Sequence, residues 1–365
     1  MNYSDTEQYW IWLAGIEGLG PVRFAELMEL YEDPQQVWQS VGKDSRLQQM
    51  LGAKTYARLH KARNEEYLYK IFARMEQLGI RAVPRTHKDY PFRLSQIYDP
   101  PAVLFVKGDG DLASEKMLGI VGTRTPTHDG KRAAHQIACK LSEQGVTVVS
   151  GLARGIDTCA HGGCIEGGAP TIAVIGCGLD VVYPPENAAL YEQILAEGGA
   201  LVSEYMPGSR PRSAHFPARN RIISGLCSGV LIVEAAKGSG AMITARLALE
   251  QDRDLFVVPG SIYSALSYEP NRLLVEGAIP VLDEKQVLDH YRWEYGGMTA
   301  EKSPDPELSK EESSIVNPLK SEMLSYDELW EITKIPPSRL NSLLTTLELR
   351  GIISKVPGGL FRANG

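Results

Sequence analysis

The chain has 365 residues, 43% of them apolar and 8% aromatic, with a formal net charge of −7. That length leaves room for two or three domains, and the composition is typical of folded globular cores. The acidic balance excludes a uniformly basic nucleic-acid binder, so any contact with nucleic acid requires a local cluster of arginine or lysine.

The opening residues are polar, and no apolar run reaches the roughly 18 residues needed to cross a membrane. We therefore expect neither a signal peptide nor a membrane association. The five cysteines are an odd number without a recognisable disulfide framework, which favours a reducing compartment. The expected location is the cytoplasm.

Residues 1–80 predict a helical domain, because apolar side chains between Tyr9 and Tyr31 recur at helical spacing. The turn GIEGLGP (15–21) resembles a helix-hairpin-helix, in the manner of small SAM-like helical domains. Backbone amides of such a turn can contact a DNA phosphate. Arg23 is the one cation close to the turn in the sequence, which favours a plain packing turn instead.

From Lys116 onward, short apolar runs alternate with helical segments. The runs predict strands at 117–121, 146–149, 171–175, 200–203, 230–233 and 255–258. The segments between them predict helices at 128–144, 155–166, 187–197, from about 218, and at 241–251. Strands that are apolar throughout are typical of a parallel sheet buried on both faces. The fold class predicted for residues 81–292 is therefore α/β, a Rossmann-like, doubly wound and mostly parallel sheet.

Residues 293–318 are acidic and contain proline, and they predict a linker. Residues 319–365 predict two helices, at 326–333 and 337–350, followed by a short hairpin. This order indicates a winged-helix domain. Its second helix has few polar donors for reading a DNA groove, so we expect it to contact protein.

Glycines and cations recur where the predicted strands end. Gly122-Thr123-Arg124 follows the first strand, Arg154 follows the second, and the run KGSG (237–240) follows the fifth. Ligands of doubly wound folds bind at this edge of the sheet, and amide-rich turns beside a cation bind anions. Several such turns indicate an extended anionic ligand. Single-stranded nucleic acid fits, because a basic groove can follow its backbone while aromatic rings stack on its bases.

The segment 216–226 contains Arg219, Asn220 and Arg221 just before an apolar run. A guanidinium is a planar donor fork suited to phosphate, although the same arginines could pair with acidic side chains. Phe216 could stack on a base or belong to the core. The candidates for stacking are Phe216, His215, Tyr183 and Tyr205.

Signatures of a cofactor, a metal or a catalytic centre are weak. The first strand-end turn lacks the G-x-G-x-x-G of dinucleotide folds, and no P-loop is present. Cys159, His161 and Cys164 do not share one helix face and lack zinc spacing. Asp157 is interpreted as a structural acid that caps its helix or holds Arg154. We expect no cofactor, no metal and no catalytic residue.

Several ungapped blocks in one order closely resemble the DNA-processing protein A family (DprA, also called Smf). The blocks are GIVGTR (119–124), SGLARGID (150–157) with AH (160–161), FPARNRIISGL (216–226), SGAMITA (239–245) and VPGS (258–261). The resemblance covers roughly residues 80–285. The flanking helical and winged-helix modules agree with it.

The resemblance implies a Rossmann-like domain that binds single-stranded DNA and forms a homodimer. It also implies a non-catalytic role in natural transformation, in which incoming DNA is protected and a RecA-type recombinase is loaded. By position it assigns DNA contacts to Arg124, Phe216, Arg219 and Asn220, with Lys237 beside the Ser-Gly block. The complete predicted DNA-binding set is Gly122, Thr123, Arg124, Arg154, Phe216, Arg219, Asn220, Arg221, Lys237, Ser239 and Gly240.

One segment departs from the family pattern. Where members usually have Ser-x-Gly-Thr-Asn, this chain has SYEPN (267–271), which puts any turn or interface role of that loop in doubt. Two alternative functions stay open. One is a nucleoside-phosphate hydrolase of related fold, although the stretch 237–245 lacks the glutamate of its P-G-G-x-G-T-x-x-E signature. The other is a scaffold that binds protein and not DNA.

Overall fold

The structure is a computed structural model that describes residues 4, 6–293, 309–319, 323–349, 352–356 and 360–363. The chain divides into two units, Met1–Gly297 and Met298–Gly365. The larger unit contains the helical N-terminal region and the α/β sheet, and the smaller unit contains the winged helix.

Within the described residues, five helices precede the sheet. They are α1 (Glu7–Ala14), α2 (Pro21–Tyr31), α3 (Pro34–Ser40), α4 (Ser45–Ala62) and α5 (Glu65–Gln77). Asp33, Asp44 and Asn64 cap α3, α4 and α5 by accepting a hydrogen bond from a backbone N–H of the first turn. The buried faces of these helices share one apolar cluster with Val103 and Phe105 of the sheet. The domain boundary at residue 80 stays a prediction.

Nine strands of the described chain form one sheet in the order β1-β2-β6-β5-β4-β3-β7-β8-β9. The strands are β1 (Ile80–Pro84), β2 (Val103–Gly108), β3 (Met117–Val121), β4 (Thr147–Ser150), β5 (Thr171–Val174), β6 (Ala200–Ser203), β7 (Gly229–Ile232), β8 (Asp254–Val257) and β9 (Ile279–Pro280). Strand β2 pairs antiparallel with β1 on one side and with β6 on the other, and the other neighbours are parallel. The predicted fold class is confirmed, while β1, β2 and β9 were not predicted.

Helices cover both faces of the sheet. The further helices of this unit are α6 (Phe92–Ser95), α7 (His128–Ser142), α8 (Ile156–Gly167), α9 (Ala188–Ala196), α10 (His215–Leu226), α11 (Gly240–Glu250), α12 (Tyr268–Val275) and α13 (Lys285–Tyr291). Successive residues of a strand point to opposite faces. In β3, Leu118 and Ile120 pack with α7 and α8, whereas Met117 and Val121 pack with α10 and α11.

Helix α10 begins at His215, three residues before the predicted start near Ala218. Pro217 lies in its first turn, where a missing backbone N–H breaks no helical hydrogen bond. The early start places Arg219, Asn220 and Arg221 inside the helix, and all three are buried. Their side chains therefore face other parts of the fold and do not stand free at a helix end.

The smaller unit consists of α14 (Lys310–Leu319), β10 (Leu324–Ser325), α15 (Tyr326–Thr333), α16 (Pro337–Leu349), β11 (Ile353–Val356) and β12 (Leu360–Ala363). The three strands pair antiparallel in the order β10-β12-β11. Ser325 and Glu328 form a capping box at the start of α15. The predicted winged-helix order is confirmed, and α14 occupies the end of the segment that we interpreted as a linker. Across the described parts of both units, every helix is too short or too polar to cross a membrane.

Candidate nucleic-acid interface

A cavity of about 660 Å³ opens at the carboxyl ends of the central strands. Its walls come from the turn after β3, the segment after β4, the start of α10 and the start of α11. The fold brings most of the predicted set to this cavity. The predicted residues that line it are Gly122, Thr123, Arg124, Phe216, Arg219, Asn220, Ser239 and Gly240.

Arg124 is an exposed cation of this cavity. Its guanidinium carbon lies 5.6 Å from the centre of the Phe216 ring, which is within the range of a cation–π contact. Phe216 is half-buried and lies 5.3 Å from the ring of Tyr183. No carboxylate of the described residues forms an ion pair with Arg124. The cavity thus presents an uncompensated guanidinium beside an aromatic pair.

Arg219 forms the floor of the cavity and is only 4% exposed. Its Nη1 donates to the backbone carbonyls of Gly151, at 2.5 Å, and of Val174, and its Nε donates to Asn220 Oδ1. Burial lowers the pKa of Arg219 to about 10, although the nearby Asp157 carboxylate favours the charged form. At neutral pH the guanidinium stays protonated, so the floor carries a buried positive charge.

Asp157 is a structural acid, but it does not hold Arg154 as one of our interpretations had it. Its Oδ2 accepts hydrogen bonds from the backbone N–H groups of Gly151 at 3.1 Å and Ala153 at 3.4 Å. Burial raises its pKa, while Arg219 and these N–H groups favour the carboxylate. Arg154 instead pairs with Glu186 at 2.6 Å. The acid therefore shapes the turn after β4, and Arg154 lies outside the cavity lining.

Asn220 joins α10 to the start of α11, which Ser239 precedes. The Asn220 Nδ2 donates to the Gly240 carbonyl at 3.2 Å. Ser239 precedes the first residue of α11, yet its hydroxyl does not cap that helix. The Ser239 Oγ is buried and has no hydrogen-bond partner in the described part of the chain. It is an unsatisfied polar group within the cavity wall.

Arg221 and Lys237 do not line the cavity. Arg221 is 4% exposed and bonds two carboxylates, with Nε 3.0 Å from Asp99 and Nη2 2.6 Å from Glu204. These two acids raise its pKa against the effect of burial. Arg221 thus fastens α10 to the segments before β2 and after β6, and Lys237 is exposed outside the lining.

The segment between β6 and α10 supplies lining residues that our sequence analysis missed. Pro211, Arg212 and Ser213 line the cavity, and Arg212 pairs with Glu17 of the N-terminal region at 2.8 Å. A signal existed in the two arginines at 210 and 212 just ahead of the Phe-Pro pair. Such a signal is not specific, because an exposed loop arginine has many possible partners.

Two of the four stacking candidates contact each other. The rings of Tyr205 and His215 stack at a centroid distance of 3.9 Å, and His215 Nδ1 lies 3.1 Å from the Gly176 carbonyl. Burial lowers the pKa of His215. A neutral ring that donates through Nδ1 satisfies this geometry, so His215 is held between Tyr205 and the Gly176 carbonyl.

The segment 267–271, whose sequence differs from the family pattern, has a structural role. Asn271 donates from Nδ2 to the Gly260 carbonyl at 2.9 Å and accepts from the Gly260 N–H at 3.1 Å. Tyr268 begins α12, and Ser267 precedes it. The retained asparagine therefore holds the turn that follows β8 even though the Gly-Thr pair is absent.

His161, the middle member of the Cys159, His161 and Cys164 group, is fully buried. Its Nδ1 lies 2.8 Å from the Thr171 hydroxyl, and burial lowers its pKa to about 3. Over the described ranges, no group of three histidine, cysteine or acidic side chains is arranged to hold a metal ion. His161 therefore serves as a neutral core residue behind Arg219.

These features define a Rossmann-like α/β protein whose strand-end cavity presents guanidinium, hydroxyl and aromatic groups to a ligand. The family model for DNA recombination-mediator protein A matches residues 81–292. The model for the DprA winged helix domain matches residues 299–359. The chain belongs to the DNA recombination-mediator protein A family.

Relatives and solved structures agree. Protein Smf of Synechocystis sp. is 34% identical over 97% of this chain and 98% of its own length. DNA processing protein DprA of Bacillus subtilis is 42% identical over 61% of this chain and 75% of its own length. The X-ray structure of Streptococcus pneumoniae DprA matches 82% of this chain and all of that chain, with a TM-score of 0.64 and 34% identity.

A Helicobacter pylori DNA processing protein A structure, described for its single-stranded DNA binding mode, matches 60% of this chain and 97% of that chain. Its TM-score is 0.53 and its identity is 30%. The resemblance inferred from the sequence blocks is confirmed.

Proposed function

We propose that this protein binds single-stranded DNA at the strand-end cavity. The observation that carries the proposal is the exposed guanidinium of Arg124 beside the Phe216 ring. A single-stranded ligand offers both a phosphate for the fork and an unpaired base for the ring, whereas a duplex keeps its bases stacked on each other. The DNA-binding mode of the Helicobacter pylori protein supports the same ligand class.

In this proposal the predicted residues have distinct roles. Arg124 and the backbone of Gly122 and Gly240 would contact phosphate. Thr123 and Ser239 would shape the wall, because the Thr123 N–H already donates to the Glu234 carbonyl and the Ser239 Oγ is buried. Phe216, backed by Tyr183, would stack on a base. Since none of these groups matches a base edge, binding should have little sequence preference.

Arg219 and Asn220 would support DNA binding without forming the main contacts to phosphate or base. Arg219 holds two backbone carbonyls and places a positive charge beneath the ligand, while Asn220 fixes α11 against α10. Arg154 and Lys237 are exposed cations that could attract DNA from outside the cavity. In this proposal Arg221 stabilises the fold, because both of its carboxylate partners are already in place.

We further propose the physiological role that family membership indicates. In that role the protein protects incoming DNA during natural transformation and helps to load a RecA-type recombinase, as a cytoplasmic homodimer that catalyses no reaction. The winged-helix unit would contact a protein partner. Family membership supports these assignments.

The test is a fluorescence-anisotropy titration of labelled dT20 at several salt concentrations, with a duplex of equal length as comparison. We expect tighter binding to the single strand and a log–log salt slope of about −0.7 for each contacted phosphate. A flat salt plot would refute contact with the DNA backbone. Nucleoside monophosphates incubated with the protein should release no free base, and release would favour the hydrolase alternative.

The proposed roles in DNA protection and recombinase loading need two separate measurements on the same protein. A single strand bound by the protein should be digested more slowly by an added exonuclease. A RecA-type recombinase should also form filaments sooner on strands covered by a single-strand-binding protein. If DNA binds but neither rate changes, the protective and loading roles are wrong while the binding proposal stands.

A further inference from the structure

Three neighbouring concavities of the larger unit share their walls. The strand-end cavity and a groove of about 1060 Å³ share Pro211 and Arg212. That groove and a smaller cavity of about 360 Å³ between the N-terminal helices share Glu17 and Tyr67. An exposed path therefore leads from the strand ends to the turn between α1 and α2.

Cations from distant parts of the sequence meet at that turn. Arg58 of α4 donates from Nη1 to the Glu17 carbonyl at 2.9 Å and lies 3.0 Å from the Glu17 carboxylate. Arg212 lies 2.8 Å from the other carboxylate oxygen. Both arginines and Lys54 lower the pKa of Glu17. One carboxylate thus faces three cations, and the cluster keeps a net positive charge.

The other acids along the path already have partners. Glu66 pairs with Lys70 at 2.6 Å, and the two carboxylates at 99 and 204 pair with Arg221. By contrast, Lys61 and Arg210 line the path without an ion pair to any described carboxylate. Each of these acids, like Glu17, is therefore paired with at least one cation, and Lys61 and Arg210 add positive charge that no described carboxylate pairs with.

We infer that the N-terminal helices provide a second stretch of the single-stranded DNA track, in which phosphates displace Glu17 from Arg58 and Arg212. This inference rests on the proposed function. A DNA strand longer than the strand-end cavity must leave it along some surface, and the shared Arg212 marks this side. Tyr67, half-buried in the shared wall, offers a ring to a base on the way.

Exposed ion pairs are worth up to about 1 kcal/mol, so their exchange for phosphate contacts is energetically easy. The sequence alone favours plain packing for the turn at 15–21. The two arginines that bond Glu17 of this turn lie 41 and 195 positions away from it along the chain. A duplex is a poor occupant because its rigid backbone cannot follow both the cavity and the groove.

The test compares wild type with Arg58→Gln and Glu17→Gln on a length series of oligonucleotides, dT4, dT8, dT12 and dT20. For the longest strands, we expect Arg58→Gln to weaken binding about threefold to fivefold, the size of an exposed ion pair. Glu17→Gln should strengthen binding of the same strands by a similar factor, because it removes the competing carboxylate. Neither substitution should change the binding of dT4.

Matched controls separate this effect from general charge. Arg46→Gln removes an exposed arginine that also pairs with a carboxylate, Asp44, and that lines none of the three concavities. Glu143→Gln likewise breaks an exposed pair with Lys140 away from the path. Both controls should leave every length unchanged. Thermal melting of all variants checks that the N-terminal helices stay folded.

The outcomes distinguish this inference from the proposed function. If wild type binds dT20 but the effect of Arg58→Gln is equal at all lengths, or absent, the second stretch is wrong and the strand-end site stands. If wild type binds no oligonucleotide, both proposals fall. Effects of the two substitutions in the same direction would also overturn the inference, because competition requires opposite signs.

Discussion

Arg124→Ala is the most informative substitution for the strand-end site. The side chain is exposed, has no carboxylate partner among the described residues, and contacts the Phe216 ring at 5.6 Å. Its removal takes nothing from the core, so the melting temperature should change by no more than about 2 °C, as for a surface substitution in a domain of this size.

The expected loss of affinity follows from the contacts that Arg124 can make. Hydrogen bonds to a charged group contribute about 1.5–3 kcal/mol, which corresponds to a tenfold to 150-fold weaker binding of dT20. The slope of log affinity against log salt should also become shallower by about 0.7, since one phosphate contact is lost. Arg124→Lys should recover part of the affinity, because it keeps the charge but not the planar fork.

Fluorescence anisotropy with labelled dT20 measures both quantities. Arg132→Ala is a suitable control, because Arg132 is an exposed arginine of α7 that does not line the strand-end cavity. Binding by Arg124→Ala with wild-type affinity and an unchanged salt slope would refute the assignment. A fall in melting temperature of 10 °C or more would instead give Arg124 a structural role.

Three further substitutions test separate parts of the structure. Phe216→Ala should weaken dT20 binding by about 1–3 kcal/mol through lost base stacking, whereas Phe216→Tyr should bind as wild type does. If Phe216→Ala also binds with wild-type affinity, Phe216 packs in the cavity wall and does not stack on a base. Arg221→Ala leaves the carboxylates of Asp99 and Glu204 without their cation, and urea unfolding should show a loss of about 3 kcal/mol in the free energy of unfolding. This value is at the lower end for a broken buried ion pair, because Asp99 is one-third exposed. Burial lowers the pKa of His161 from 6.5 to about 3, so between these pH values the histidine is protonated in the unfolded chain and neutral in the folded one. The free energy of unfolding therefore falls as the pH drops from about 6.5 towards 3. That contribution, at most about 1.4 kcal/mol per pH unit, should be missing from the acid unfolding of His161→Gln.

The parallel part of the fold could be predicted because each strand from β3 to β8 is a short, continuous apolar run followed by a helix. The sequence pattern does not predict β1 and β2, because these strands pair antiparallel and lie outside the strand–helix repeat. The two-residue strand β9 is too short to give a pattern. Local periodicity reveals a repeated unit, whereas edge strands depend on partners that lie far away in the sequence.

The sequence could not distinguish the roles of Arg219 and Arg221. They are two residues apart and chemically identical, so both joined the predicted set. In a helix, two residues span about 200°, and the two side chains face different surroundings. Arg219 meets backbone carbonyls at the cavity floor, whereas Arg221 meets Asp99 and Glu204. Those acids lie 122 and 17 residues away along the chain, so the sequence alone could not separate the roles.

Gly151→Ala tests whether the position of Arg219 matters to the ligand. A Cβ built at Gly151 would lie 2.5 Å from Arg219 Nη1 and 2.6 Å from its Cζ, closer than any stable contact. The guanidinium cannot simply swing away, because it is buried and donates to the Gly151 and Val174 carbonyls. We expect a loss of about 1–3 kcal/mol in unfolding free energy from overpacking.

Displacing Arg219 should also weaken dT20 binding, because the cavity floor loses its shape and the charge beneath the ligand moves. Gly145→Ala offers a control for the glycine replacement itself, since Gly145 has a positive φ of 75° but no atom within 4 Å of an added Cβ. That control should cost stability and leave affinity unchanged. If Gly151→Ala loses stability but binds dT20 as wild type does, Arg219 supports the fold and contributes nothing to the bound DNA.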